Sequence, residues 1–388
     1  MAHLLIAYKQ FPAPSVGHAG GESLFRLMEA LHRRGHRLTL VARISDEERE
    51  QLSALNAICQ KVVTVPHHSS FPGPRPLALV RSYMAFRAAL RGALRDDVPD
   101  WVHVETTQTA VATLGLPLPS SSYRTQDLNW FLIEQKMARM RGVRRRIARM
   151  EAGLMRRFES FVCHQYDLML AISESDRRLL AETCDDARLL VVPLTPALRP
   201  DDKVAPAVEG GPNLLFVGAM SRDHNIAGVN WFLDEIWPRI ASEVPGARFY
   251  VVGGHPSEQL RAQADGERVI VTGFVGDLVA WYQAATIFVS PLLVAGGLLQ
   301  KIMDAMRMGV PVVATGVCNH GVGATPGRDL VIADTAEGFA AAVLALLRDR
   351  EARERIGGAG QAFVTEYYDL EAAVDRWEAA MLEIIGET

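Results

Sequence analysis

The chain has 388 residues, too many for one ordinary core, so two domains are expected. With 49% hydrophobic and 22% charged residues and a formal net charge of -4, it reads as a soluble globular protein with no global attraction to nucleic acid. Its four cysteines, Cys59, Cys163, Cys184 and Cys318, stand singly with no C-x-x-C spacing, which argues against a disulfide framework or a cysteine metal site and fits a reducing cytoplasm.

The first element is the strand "HLLIAY" (3–8), followed by a loop, "KQFPAPSVGHAGG" (9–21). The opening lacks a basic segment and breaks at Pro12, and no later window reaches the roughly 18 apolar residues of a membrane span, so neither a signal peptide nor a transmembrane helix is expected. Leu24, Leu27, Met28 and Leu31 then fall at helical spacing, Gly35 stands where a helix C-cap would, and Leu38, Leu40 and Val41 resume a strand. Apolar strands recur at "KVVTVP", "WVHVE", "LMLAIS" and "LLVVPL", with helical stretches between several of them, which is the rhythm of a parallel doubly wound sheet.

Residues 199–212, "RPDDKVAPAVEGGP", are polar and rich in Pro and Gly, and are read as an interdomain linker between a first domain (1–198) and a second (213–365). The rhythm restarts there: strand "NLLFVGAM", helix "AGVNWFLDEIWPRI", strands "RFYVVGG" and "VIVTGFV", helix "LVAWYQAA", strand "IFVSPLL", a helix, and strand "PVVAT". The segment 366–388 is expected to form a helix that crosses back to the first domain on a stripe of Leu370, Val374, Trp377 and Met381. The fold class is therefore α/β, with two Rossmann-like doubly wound domains facing across a cleft that is the default ligand site.

The stretch "VSPLLVAGGLLQKIMDAMRMGVPVVAT" (289–315) carries the densest signal. A turn on Gly296 and Gly297 lets backbone approach a ligand, and a helix starting there aims free N–H groups and its positive end at an anion. Lys301 and Asp304 lie at i and i+3 on one face, while Leu298, Ile302 and Ala305 form the apolar stripe. A cation one turn in suits a diphosphate and a carboxylate further on suits a ribose diol. A surface ion pair of little energetic weight is the other reading.

Residues 213–315 resemble the donor domain of the group 1 glycosyltransferases of the GT-B fold, in particular the family 4 branch that builds bacterial surface polysaccharides. The resemblance rests on "LLFVGAMSRDHNIAGVNWFLDEIWPRI", "VVGGHP", "VTGFVGDLVAWYQAATIFVSPLL" and "LLQKIMDAMRMGVPVVAT", in order and spacing. The earlier "GG…LMEALHRRGHRLTLV" and "AISESDRRLL…LLVVP" extend it over nearly the whole chain. It implies a donor site of Gly20, Gly21, Gly218, Arg222, Phe274, Val275, Gly296, Gly297, Leu298, Lys301 and Asp304. Backbone at Phe274 and Val275 would read the base, Asp304 the ribose, Lys301 and Arg222 the diphosphate, and Gly20 and Gly21 would admit the diphosphate and the transferred sugar. The chain departs from the family's Glu-x7-Glu pair, with Gly296 at the first position and Asp304 at the second, and Leu299 replaces a usual arginine.

On the acceptor side, "YRTQDLNWF" (123–131) occupies the place where the family shows His-Asp or His-Asn, here Gln126 and Asp127. With Glu105 at the end of "WVHVE", these are the candidate catalytic residues, and an N-cap role for Asp127 is the alternative. None of the 11 histidines forms an H-x3-H set, and the family binds donors without an obligatory metal, so no metal and no cofactor beyond a nucleotide diphosphate sugar co-substrate is expected.

Residues 136–161 carry Lys136 and eight arginines interleaved with Met, Ile and Leu. Such a helix suits peripheral contact with an anionic membrane, on the inner face for a cytoplasmic protein. A solvated, salt-bridged helix is the alternative, favoured by a narrow apolar face and by interruptions at Gly142 and Gly153. Together these features imply a retaining, metal-independent glycosyltransferase acting on a glycan, a lipid-linked or a small-molecule acceptor, with no nucleic acid partner. A sugar nucleotide epimerase of the same fold and a catalytically silent sugar-nucleotide-binding protein are the alternatives.

Overall fold

A computed structural model describes residues 1–14, 19–71, 74–137, 140–196, 198, 205–208, 210–295 and 297–387. Gly296, Arg139, residues 15–18 of the first loop, and 199–204 and 209 of the linker lie outside these. The chain divides into two compact units, Met1–Leu194 with Leu370–Thr388, and Thr195–Asp369.

In the first unit β1 (His3–Tyr8), α1 (Ala19–Arg33), β2 (Arg37–Ile44), α2 (Leu52–Ile58), β3 (Lys61–Pro66), α3 (Arg75–Asp96) and β4 (Trp101–Glu105) are followed by α4 (Thr107–Thr113), β5 (Ser121–Arg124), α5 (Asn129–Met137), α6 (Gly142–Cys163), β6 (Leu168–Ala171), α7 (Glu174–Ala181) and β7 (Leu189–Val191). The strands form one parallel sheet in the order β3-β2-β1-β4-β5-β6-β7. All of β1 is buried, because a parallel strand covered by helices on both faces has no solvent side to alternate toward. Gly35 at φ 85° turns the chain from α1 into β2, a conformation open to glycine.

The second unit repeats the plan. It comprises β8 (Asn213–Val217), α8 (Asp223–Trp231), α9 (Trp237–Glu243), β9 (Arg248–Val252), α10 (Glu258–Ala262), β10 (Val269–Gly273), α11 (Leu278–Ala284), β11 (Ile287–Ser290), α12 (Gln300–Arg307), β12 (Val312–Ala314), α13 (Gly316–Val322), β13 (Val331–Ile332), α14 (Ala336–Arg348) and α15 (Arg350–Tyr367). Its parallel sheet runs β10-β9-β8-β11-β12-β13. Its core is aromatic, with Phe232 packed 4.4 Å from Phe249 and edge-on to Phe339. The single helix expected over 227–240 contains a π-helical turn, Phe232–Ile236, just before Pro238. Proline supplies no N–H and its ring strikes the carbonyl four residues back, and a wider turn accommodates both.

The chain returns to the first unit as α16 (Leu370–Glu387), which buries Val374, Trp377 and Met381 against α1 and the β1 side of the sheet. The helix expected to start at 366 is instead two pieces, broken at Tyr368 and Asp369, where α15 ends. Exposed Arg33 at the end of α1 and half-buried Arg34 just past it pair with Glu371 and Glu378, holding α16 along α1.

Candidate functional site

Each sheet has one point where its strand order reverses, between β1 and β4 in the first and between β8 and β11 in the second, and ligands of such sheets bind outside the strand carboxyl ends there. Most of the expected site residues gather at these two places, and each place is described within its own unit.

At the first, Tyr8 ends β1 and is in register with Glu105, which ends β4. A chain of hydrogen bonds runs to that carboxylate. Trp101 Nε1 can only donate, and it donates to Ser122 Oγ at 2.9 Å. The ionised Glu105 carboxylate can only accept, so His103 Nε2 carries the proton and donates to Glu105 Oε1 at 3.0 Å, and Nδ1 of the neutral ring then accepts from the Ser122 hydroxyl at 2.8 Å. Arg124 Nε donates to the same oxygen at 2.7 Å, and Gln126 Nε2 to Oε2 at 3.0 Å. Burial alone would push the Glu105 carboxyl up, but the Arg124 guanidinium and the His103 N–H outweigh it and hold the group below its usual range. Burial lowers His103, consistent with a neutral ring.

Glu105 is thus a fully buried, ionised carboxylate that accepts from His103, Arg124 and Gln126. Gly20, in the first turn of α1, is where Gln126 and Tyr8 need room, because a Cβ there would collide with Gln126 Oε1 and the Tyr8 hydroxyl. Gly21 is buried beside it. Asp127 is exposed, and its carbonyl accepts from Thr125 Oγ1 at 3.0 Å. At the start of α5, Glu159 of α6 accepts from the Asn129 N–H through Oε1 at 3.1 Å.

At the second place, the glycine turn after β8 lies against the side chains that matter. Lys301 Nζ donates to Asn225 Oδ1 at 2.7 Å and stands 4.4 Å from the centroid of the Phe216 ring. A Cβ on Gly218 would come within 2.8 Å of both Lys301 Nζ and Asn225 Nδ2. Glycine is also required at 253, φ 153°, where a side chain would run into the Gly218 carbonyl, so the ends of β8 and β9 close tightly under the lysine. Burial drives the Lys301 ammonium down to about 7. No carboxylate of the described residues forms an ion pair with it, so the surface-pair reading does not hold.

Asp304 is buried, and its Oδ1 accepts from the Leu198 N–H at 3.3 Å and from Gln300 Nε2 at 3.2 Å. Lys301 and Asp304 therefore do not share an open polar face as the i, i+3 spacing implies. The helix that carries them starts at Gln300, three residues beyond Gly297, with Leu299 at its N-cap position. Leu298, Ile302 and Ala305 are buried as expected, joined by Met303 and Met306. Gly297 has φ 60°, and its carbonyl is backed by Gly321 of α13, where a Cβ would strike it.

Arg222 is exposed at the N-cap position of α8, and Phe274, just past the end of β10, is 81% exposed, an unusual placement for a large aromatic beside half-buried Val275. Asn225 escaped the reading of the sequence. Its only signal is an amide in the first turn of the helix that follows the "FVGAM" turn. Among the described residues no three His, Cys, Asp or Glu side chains gather as metal ligands would.

Two doubly wound parallel sheets, each with a polar cluster at its reversal point, define a chain of the GT-B class. A family model described as glycosyl transferases group 1 matches residues 211–349, and one described as glycosyltransferase family 4 matches residues 20–194. The chain belongs to the group 1, family 4 glycosyltransferases. A curated relative, an uncharacterized 44.6 kDa protein in the cps region of Klebsiella pneumoniae, is 30% identical over 165 residues, 40% of this chain and 42% of that protein. Sucrose-phosphate synthase from Thermosynechococcus elongatus is similar in structure with a TM-score of 0.75 at 14% identity, over 100% of both chains. HepE from Anabaena, solved in complex with UDP-glucose, gives 0.70 at 15% identity over 100% of both. At these identities the likeness is one of fold.

Proposed function

We propose that the protein transfers a sugar from a nucleoside diphosphate sugar, bound by the second unit, to an acceptor held by the first. The observation that carries this reading is the Lys301 ammonium, set at the reversal point of the second sheet against an amide and an aromatic ring, with no carboxylate among the described residues paired to it. A diphosphate supplies the missing charge. It would raise the lysine's proton affinity, and the stabilisation would grow as the leaving diphosphate gains charge, which is catalysis by electrostatic preorganisation.

In this reading the backbone at Gly218 and Gly297 admits the phosphates, Asp304 takes the ribose, and exposed Phe274 with Val275 covers the base. Gln126, oriented by Glu105, faces the acceptor together with Asp127. Transfer proceeds with retention and without a metal ion, as in the family it resembles, and the acceptor is a glycan, a lipid-linked or a small-molecule hydroxyl. Because HepE is known in complex with UDP and UDP-glucose, uridine diphosphate sugars are the first donors to try.

The test is chromatography of the nucleotide product after incubation with an array of sugar nucleotides. Free nucleoside diphosphate is the expected product. An isomerised donor would mean an epimerase, and thermal stabilisation without turnover would mean a silent binding protein.

A further inference from the structure

The helix α6 is continuous over 22 residues, about 33 Å at 1.5 Å per residue, and Gly153 does not interrupt it. Its inner face, Ala148, Ala152, Glu159, Val162 and Cys163, is buried in the first unit. Its outer face is apolar along the whole length. Val143, Ile147, Met150, Leu154, Phe158 and Phe161 recur at intervals of three and four, and are between 37% and 71% exposed. The apolar face is therefore neither narrow nor broken, against the expectation from sequence. Ile147, Met150, Leu154 and Phe158 line a groove there.

We propose that this face docks on an anionic lipid bilayer, with α6 lying in the plane of the headgroups. Charge complementarity selects that occupant. Arg144, Arg145, Arg146, Arg149 and Arg157 are exposed around the stripe against a single exposed glutamate on the helix, Glu151, although the chain as a whole carries -4. A second copy seated on the same face would bring like charges together. A bilayer with anionic headgroups takes the arginines at its surface and the apolar stripe just beneath. A second apolar row, Leu77, Val80 and Met84 of α3, is also exposed, and α3 and α6 pack into the same core on one face of the sheet. Among the described residues no helix is long and apolar enough to cross a membrane, so the geometry is that of a surface helix.

The experiment is sedimentation of the full chain, without nucleotide, with vesicles of phosphatidylcholine alone or mixed with phosphatidylglycerol. It reads membrane binding independently of any donor. The chain should sediment with the anionic vesicles only and be released by salt, but not by a change from pH 6 to pH 9, since guanidinium stays charged. Replacing Arg144, Arg145, Arg146 and Arg149 by Gln should weaken partitioning by roughly 100-fold or more, and Ile147→Ser with Leu154→Ser by about 10-fold. Both variants change exposed side chains, so each should melt as the parent does. Equal sedimentation with neutral vesicles, or variants that bind like the parent, would overturn the proposal. Self-association that Ile147→Ser with Leu154→Ser abolishes, with no vesicle binding, would assign the face to a second copy instead.

Discussion

At the reversal point of the first sheet the buried carboxylate of Glu105 meets an opposite charge in Arg124, whereas at that of the second, among the described residues, Lys301 meets an amide and a ring and no carboxylate. Glu105 and Arg124 neutralise each other inside the first unit, and the chain from Trp101 through Ser122 and His103 orients the protons around them. Lys301 lies against Phe216 and Asn225, with burial working against its charge. A charge paired inside the fold specifies shape, because its partner is already in place. An open one specifies a ligand, because only an anion from outside completes it. The first cluster accordingly holds Gln126 against Gly20, and the second is where the proposed function puts the donor diphosphate.

The largest effect should come from opening the closed set. Glu105→Gln leaves the Arg124 guanidinium buried without its counter-charge, which should lower unfolding stability by about 3–5 kcal/mol in denaturant titrations. Adding Arg124→Met should recover part of that loss, since the stranded charge is then gone. The sign with pH follows from the depressed carboxyl of Glu105. Its contribution is complete above the unfolded-state value of about 4.3 and is lost as pH falls through the folded value, so the gap between parent and variant should shrink in acid. A single-variant loss under about 1 kcal/mol would mean that the pair does not specify shape.

Removing the open charge should act on binding more than on folding. Lys301→Met should weaken nucleoside diphosphate binding by about 10- to 150-fold while sparing the nucleoside, as calorimetry can resolve. Folding has the opposite sign. With the folded lysine near 7 and its unfolded value near 10.4, the unfolded state holds the extra proton between those limits. Parent stability relative to Lys301→Met should therefore rise as pH climbs from 7 to 10, the burial penalty being complete below 7. Undiminished diphosphate affinity would place the donor phosphates elsewhere.

The architecture was more legible than the sites, for a physical reason. Buried parallel strands announce themselves as apolar runs, and nearly all were read, but "SSYR" at β5 looks like a loop. It is a central strand because Ser122 and Arg124 spend their polarity on Trp101, His103 and Glu105 of the neighbouring strand, partners that only register reveals. Lys301 was visible as a cation near a glycine turn, but its enclosure was not, since Phe216 and Asn225 come from 85 and 76 residues earlier. The break expected at Gly153 failed for a related reason. A mid-helix glycine costs about 1 kcal/mol, and the buried face of α6 outweighs that. The start of α12 was placed too early because a glycine pair marks a turn without fixing where helical hydrogen bonding begins.

The finest test converts the open cluster into a copy of the closed one. Asn225→Asp keeps the shape of the side chain and sets a carboxylate where Asn225 Oδ1 now lies 2.7 Å from Lys301 Nζ. The lysine should then hold its proton without a ligand, as Arg124 does beside Glu105. In the parent at pH 8 the lysine is largely neutral, so binding a diphosphate should draw in a proton, visible as a calorimetric enthalpy that changes with the ionisation enthalpy of the buffer. In Asn225→Asp that buffer dependence should vanish and affinity should fall about tenfold, because the incoming phosphate must share a cation already paired and face a new anion. Asn225→Ala, which removes the amide without adding charge, should keep the proton uptake and lose only a few-fold in affinity, the net worth of about one neutral hydrogen bond. If Asn225→Asp binds diphosphate as the parent does, the missing counter-charge is not what recruits the ligand.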